Sequence, residues 1–191
     1  MTELIDLEFH PLTPDRWMDF ENLFGPRGAC GGCWCLFWKK PRKQYYADAY
    51  EGNRVDQKAI VEGGSIPGIL AYSEGEPVGW CAIEPRGNYP ALERSRILKP
   101  LDDQPVWSVT CFYVGKKFRN RGVTVSLLKA AIQFVSSWGG KIIEGYPTET
   151  VDGKSPAPFI FTGVASAFIQ AGFVEVARRS EKRPIFRFVI Q

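Results

Sequence analysis

The sequence predicts a mixed α/β domain of the α+β type, with a mostly antiparallel sheet of about seven strands flanked by helices. Three observations lead to this prediction. Segments rich in β-branched and aromatic residues occur along the whole chain, and four of them form two pairs joined by short turns, as in hairpins. A strand–loop–helix–strand unit near the middle adds one parallel pair. The predicted order of elements is β-α-α-β-β-β-α-β-α-β-β.

The composition is that of one globular domain spanning residues 1–191. Of these residues 45% are hydrophobic and 24% are charged, a balance that favours a water-soluble protein. No apolar run approaches the ~20 residues of a membrane span, and the acidic start MTELIDLE does not resemble an export signal. We therefore expect a cytoplasmic protein that binds neither membranes nor nucleic acid. The net charge of +3 suits a small anionic ligand better than a polynucleotide.

The first third of the chain contains one strand, two helices and a long loop. The strand is expected at Leu7–Phe9, and the first helix from Thr13 to about Phe24. Residues 25–43 are rich in glycine, cysteine and tryptophan and show neither helical nor strand periodicity, so we expect an ordered loop. A second helix follows, with Asn53 as its predicted N-cap.

The remainder of the chain is dominated by strands. GILAYS and PVGWCAIE flank a three-residue turn and are expected to pair. Val106–Val114 is predicted to be a central strand, and the apolar stripe of Thr124–Trp138 predicts an amphipathic helix. The last elements are expected to be a strand at Lys141–Tyr146, a short helix at Val164–Ala171 and a hairpin of Phe173–Arg179 with Ile185–Ile190.

The loop between the central strand and its helix has the properties of an anion site. The first backbone N–H groups of a helix lack internal partners, and together with the helix dipole they attract negative charge. Gly122 allows the backbone to approach a phosphate without an obstructing Cβ. Four cations surround this point: Lys116, Lys117, Arg119 and Arg121. The whole strand–loop–helix unit is therefore predicted to bind an anionic ligand.

Two motifs give this loop a family resemblance. VGKKFRNRGVT resembles the acetyl-CoA loop of the GCN5-related N-acetyltransferases (GNAT), whose pattern is Arg/Gln-x-x-Gly-x-Gly/Ala after a strand ending in valine. Arg119, Gly122 and Thr124 occupy the patterned positions, although Thr124 departs from Gly/Ala. The segment AFIQAGF at 167–173 resembles the late helix of that family, and the predicted order of elements is also the family's order.

The resemblance implies a sheet splayed between its fourth and fifth strands, with acetyl-CoA as co-substrate in the splay. An amine of a small molecule or peptide would attack the thioester directly, in a monomer or homodimer. The fourth strand would pair with the pantetheine arm, and the loop would hold the pyrophosphate. The implied cofactor-binding residues are Phe112, Tyr113, Val114, Arg119, Asn120, Arg121, Gly122, Val123 and Thr124.

The catalytic groups are less well defined by the resemblance. A backbone N–H of the fourth strand, at Phe112 or Tyr113, would polarise the thioester carbonyl. The late-helix tyrosine that often protonates the departing thiolate in the family is replaced here by Phe168. Tyr113 and Tyr146 are then the candidate acids, and Glu84, at the end of the third strand, is the candidate base.

The acceptor side is predicted from its position in the family. The segment between the first and second strands covers the acceptor there, so Trp34, Phe37 and Trp38 are candidates for an aromatic wall. Glu144 and Glu149 flank the end of the fifth strand and are candidate acceptor-binding acids. The alternative for the three aromatic residues is a small hydrophobic core of their own.

Cys30, Cys33 and Cys35 form a cluster in the long loop. Their CxxC spacing invites a metal or redox interpretation, but a zinc site ordinarily needs four ligands, and the sequence offers no second pair. We therefore expect no metal and reduced thiols. Two alternatives to an enzyme remain: a catalytically degenerate CoA-binding module, and a metal or redox protein built on these cysteines.

Overall fold

The computed structural model describes residues 6–150 and 160–191, which form a seven-stranded sheet in the order β1-β2-β3-β4-β5-β7-β6. All neighbouring strands are antiparallel except β4 and β5. This mixed, mostly antiparallel sheet confirms the predicted fold class. The strands are β1 (Glu8–Pro11), β2 (Gly68–Ser73), β3 (Glu76–Pro85), β4 (Trp107–Val114), β5 (Ile142–Gly145), β6 (Val174–Arg178) and β7 (Pro184–Val189).

Helices cover both faces of the sheet. One core cluster joins the sheet to α5 and α6, and a second joins the opposite face to α1 and the cysteine-containing loop. None of the helices in the described parts of the chain is long and apolar enough to cross a membrane. The helices are α1 (Trp17–Phe24), α2 (Arg42–Ala47), α3 (Glu51–Glu62), α4 (Pro90–Glu93), α5 (Val123–Ser137) and α6 (Ala165–Gln170).

Two details of the predicted helices are wrong. Asn53 does not cap α3, which begins at Glu51, but lies buried within it. Its side-chain amide donates to the carbonyls of Gly32 and Tyr45, at 2.9 and 3.1 Å, so a long-range contact replaces the expected local one. Trp138, expected on the apolar stripe, lies just beyond the end of α5 and is 60% exposed.

The parallel pair β4–β5 is short, and this opens the sheet. Only Trp107, Ser108 and Val109 of β4 pair with β5. At the next residue β4 contains a bulge, because Val109 and Cys111 pair with consecutive residues of β3 and Thr110 is the extra residue. A bulge bends its strand and increases its twist. Beyond this point β4 and β5 separate, as the predicted splay requires.

A buried polar network holds the two strands together at the base of the splay. Glu144 of β5 pairs with Arg86 at 3.1 Å and with Arg187 of β7 at 2.8 Å. Tyr146 donates its hydroxyl hydrogen to Glu144 at 2.7 Å and accepts from Arg86 at 2.6 Å. Ser108 of β4 lies 2.8 Å from the same hydroxyl. The network therefore spans β4, β5 and β7 where the cleft begins.

Close packing between β5 and α6 gives a first testable prediction. A Cβ added to Gly145 would overlap the ring of Phe168, which is fully buried. We expect Gly145→Ala to lower the free energy of unfolding by roughly 1–3 kcal/mol, the usual cost of overpacking. Chemical denaturation measures this change. Gly87→Ala is the matched control, because its Cβ would meet open space.

The double variant Gly145→Ala/Phe168→Leu tests whether the ring is the cause. Trimming Phe168 is expected to relieve the overlap, so the two substitutions should cost less together than the sum of their separate costs. Strict additivity would contradict this explanation.

Candidate active site

A cavity of about 700 Å³ occupies the gap between β4 and the segment that follows β5. Its lining includes residues from both core clusters, so it passes from one face of the sheet to the other. One end lies at the start of α5 and the other at the cysteine-containing loop. The residues that line the cavity include Phe24, Cys30, Cys33, Cys111, Phe112, Tyr113, Val114, Arg119, Asn120, Gly122, Val123, Thr124 and Phe161.

The start of α5 forms one end of the cavity and has the geometry of an anion site. Gly122 is the N-cap residue, with φ +79° and no capping side chain. The first helical hydrogen bond is donated by Ser126 to the Gly122 carbonyl at 3.1 Å. The N–H groups of residues 123–125 therefore have no partner within the helix. Thr124 lies inside the first turn, not at the cap, and lines the cavity.

The loop before Gly122 is shaped to turn its backbone toward the same point. Asn120 also has a positive φ, of 60°, two residues before Gly122. Arg119 donates from Nε to the Val114 carbonyl at 3.0 Å, which ties the loop back to the end of β4. Arg121 is exposed and is not part of the lining. Eight of the nine predicted cofactor-binding residues thus line one cavity.

The wall formed by β4 presents backbone groups to the cleft. Phe112 donates its N–H to the carbonyl of Phe161 at 2.6 Å, which shows that this N–H points away from β3. Gly115, by contrast, donates its N–H to the carbonyl of Val78 in β3, at 2.9 Å. Because alternate residues of a strand point the same way, Val114 shares the direction of Phe112, whereas Tyr113 directs its N–H toward β3. An extended ligand in the cleft would meet Phe112 and Val114.

The end of the cavity at the cysteine-containing loop is lined by aromatic rings and thiols. Phe24 and Tyr113 lie with their ring centroids 5.3 Å apart. Cys30 is exposed, Cys33 is half-buried and Cys111 is buried, and all three line the cavity. Burial raises the pKa of the Cys33 thiol to about 11, and its S–H donates to the Gly28 carbonyl at 3.4 Å.

Two of the three predicted catalytic residues lie outside this lining. Glu84 is only 2% exposed, forms an ion pair with Lys39 and accepts a hydrogen bond from Asn88 at 2.9 Å. Tyr146 is fully buried in the network at the base of the splay, and burial together with Glu144 raises its pKa. Tyr113 is the one predicted catalytic side chain that the structure places on the cavity wall.

The predicted acceptor-binding residues are also placed elsewhere. Trp34 packs in the cluster beneath α1, stacked against Phe24 with ring centroids 5.7 Å apart. Phe37 and Trp38 belong to a third cluster that includes Tyr146. Phe37 and Trp38 thus pack in a small hydrophobic core, which was the alternative that the sequence allowed for them. Glu144 is held by two arginines, and Glu149 accepts a hydrogen bond from Arg178 at 2.8 Å.

Sequence reasoning missed Phe24, Cys30, Cys33, Cys111 and Phe161 as lining residues. For Cys30 and Cys33 a signal existed, because the loop that carries them was expected to cover the acceptor. The position of this loop in the family pointed to Trp34, Phe37 and Trp38 as the wall, whereas packing against α1 takes Trp34 into the core. Within residues 6–150 and 160–191, no group of three or more His, Cys, Asp or Glu side chains is arranged to hold a metal ion.

Comparison with known proteins agrees with this geometry. Comparison with the sequences of curated proteins gives no match. Among solved structures, a GNAT-family acetyltransferase from Listeria monocytogenes superposes with a TM-score of 0.61 at 9% identity, covering 100% of this chain and 98% of that one. The PaiA N-acetyltransferase of Thermoplasma acidophilum, in complex with coenzyme A, gives 0.53 at 10% identity, with coverages of 97% and 100%.

A third similar structure is YncA from Salmonella typhimurium with its cofactor acetyl-CoA, at a TM-score of 0.56 and 9% identity, covering 97% of this chain and 94% of that one. Likenesses at this identity establish the fold. The sequence itself establishes the family, because the profile of the Acetyltransferase (GNAT) family matches residues 31–150, more than half of the chain. The chain therefore belongs to the GNAT acetyltransferase family, whose members use acetyl-CoA as co-substrate.

Proposed function

We propose that this protein transfers the acetyl group of acetyl-CoA to an amine of a small molecule or peptide. The observation that carries the proposal is the cavity that crosses the sheet where β4 and β5 separate. We assign the anion to its end at the start of α5, and the acceptor amine to its end at the cysteine-containing loop. Such a passage lets two substrates approach one reacting centre from opposite faces. The amine would attack the thioester carbonyl directly.

The residues of the cleft fit a CoA thioester. The free N–H groups at the start of α5 and the left-handed Gly122 would bind the pyrophosphate, with Arg119 and the exposed Arg121 adding positive charge. The N–H groups of Phe112 and Val114 would bind the extended pantetheine arm as an additional strand would. In this structure the Phe112 N–H donates a hydrogen bond to the Phe161 carbonyl, which lies in the place that the arm would take.

The chemistry requires a neutral amine and a stabilised leaving thiolate. An alkyl ammonium has a pKa of about 10 and must lose its proton before it attacks. Tyr113 lines the cavity beside Phe112 and is the proposed proton donor to the thiolate. Glu84 is buried against Lys39 outside the lining and accepts from Asn88, so we assign it the support of the turn after β3 instead of a proton-transfer step.

The cysteines of the chain bear on where the reaction would take place. All five cysteines are free thiols, which suits the reducing conditions of the cytoplasm. We propose a cytoplasmic enzyme that acts as a monomer or homodimer on one amine-bearing partner.

The direct test is acetyl-CoA turnover against a panel of amines. The purified protein is incubated with acetyl-CoA and with polyamines, amino acids, aryl amines or peptides with free N-termini. Release of CoA thiol is measured, and the product mass is confirmed. We expect amine-dependent release of CoA with at least one class of acceptor and an acetyl group on that acceptor.

A CoA-binding module without catalysis is the second candidate. Phe168 favours it, because this side chain takes the place of the family's usual acid and packs at the centre of a hydrophobic cluster. Tight binding of acetyl-CoA without release of CoA for any amine would support this candidate and contradict the proposed enzyme.

A further inference from the structure

The acceptor end of the cavity carries three thiols that the proposed reaction does not use. Cys30 lies in the turn Gly28–Gly32, and Cys33 follows directly after that turn. Cys111 lies in β4, directly before Phe112. A thiol beside a bound thioester is a potential acyl acceptor, because cysteine is the side chain that is most nucleophilic at neutral pH without a dedicated base.

The three thiols differ in their availability for this chemistry. Burial raises the pKa of Cys33 to about 11, and its S–H is used by the Gly28 carbonyl. A hydrogen bond with Cys35, together with burial, raises the pKa of Cys111 well above its ordinary value. Both therefore form less of the attacking thiolate than a thiol with an ordinary pKa does. This matters because only the thiolate attacks. Cys30 is the exposed thiol of the three.

The turn that carries Cys30 is held in place from both sides. Gly32 donates its N–H to the Arg27 carbonyl at 2.9 Å, and the Gly32 carbonyl accepts from the Tyr50 N–H at 3.2 Å and from the Asn53 amide at 2.9 Å. These bonds anchor the turn to α3. Cys30, which lines the cavity, lies two residues before this anchored glycine.

We propose that Cys30 is a second acyl acceptor of the cleft and that the protein acetylates itself there when no amine is bound. The inference rests on the proposed binding of acetyl-CoA. After Cys30 loses its proton to water, the lone pair of its Sγ forms a bond to the acetyl carbon. The bond from that carbon to the CoA sulfur breaks, and the CoA thiolate takes a proton from water.

This exchange needs no further catalyst and is reversible. It converts one thioester into another, so little free energy is gained or lost, and added CoA should reverse it. The acetyl group would then occupy the acceptor end of the cavity. Self-acetylation would therefore compete with the amine and report on the supply of acetyl-CoA relative to free CoA.

The test uses the full-length protein with acetyl-CoA and no amine. Intact-mass and peptide mass spectrometry are expected to find one acetyl group on Cys30, which neutral hydroxylamine removes because it is a thioester and not an amide. Excess CoA should remove it as well. Cys30→Ala should abolish the label, whereas Cys33→Ala, from the same turn, should leave the acetyl group on Cys30.

Two further measurements separate the possible failures. Calorimetric titration with acetyl-CoA reports binding by itself: binding without a label on Cys30 overturns this inference and leaves the proposed function standing. No binding at all would refute both. With acetyl-CoA below its dissociation constant, labelling of Cys30 at an unchanged rate in Gly122→Val would show reaction from free solution and would also overturn the inference.

Discussion

Replacement of Glu144 by alanine is expected to lower the free energy of unfolding by about 3–5 kcal/mol, the usual cost of removing one partner from a buried ion pair. The Glu144 side chain is 1% exposed, and its two oxygens pair with Arg86 and Arg187. Both guanidinium groups and the Tyr146 hydroxyl would lose a buried acceptor. Denaturation in urea, followed by circular dichroism, measures the change.

Asp102→Ala is the matched control for this prediction. Asp102 also pairs with Arg187, at 2.6 Å, but from the solvent side, where its side chain is 42% exposed. Exposed ion pairs contribute little to stability, so this variant should unfold nearly as the wild type does. An equal effect of the two substitutions would show that the buried network does not hold β4 and β5 together.

Replacement of Gly122 by valine is expected to weaken acetyl-CoA binding about tenfold to 100-fold, since each hydrogen bond to a charged group is worth roughly 1.5–3 kcal/mol. Gly122 has φ +79°, a conformation that a β-branched residue adopts only with strain. Relief of that strain would turn the first N–H groups of α5 away from the phosphates. Calorimetric titration measures the affinity.

Gly139→Val provides the comparison that isolates this effect. Gly139 has φ +73°, follows the other end of the same helix, and like Gly122 would place a Cβ in open space. The backbone strain is therefore similar, but the site is not part of the cavity lining. We expect a comparable loss of stability with unchanged affinity. Equal affinity in both variants would contradict the assignment of the pyrophosphate to this helix start.

The loop and helix start to which cofactor binding is assigned could be predicted from the sequence because their determinants are local. A strand, a glycine that permits positive φ, and a helix start follow one another within a few residues, and the motif brings its own geometry. The splay was predicted from the family resemblance. The bulge at Thr110 of β4, where β4 and β5 stop pairing, arises from the pairing with β3 and has no local signal in the sequence.

The acceptor half could not be predicted in the same way because it depends on long-range contacts. Glu84 looked like an accessible strand-end carboxylate, but Lys39 folds over it from the long loop. Tyr146 follows a strand next to the cleft, yet it is buried with a hydrogen bond from Arg86, which lies sixty positions earlier in the chain. The same applies to Trp34, whose packing is decided by α1 and not by its own segment.

A crystal structure of the protein with bound CoA tests the central claim most directly. We expect phosphate oxygens within hydrogen-bonding distance of the N–H groups at residues 123–125, and a pantetheine arm between β4 and the segment after β5. The CoA sulfur should lie toward Cys30, Cys111 and Tyr113. CoA bound at another surface, such as the groove between α1 and α3 beside Tyr50, with the splay unoccupied, would contradict it.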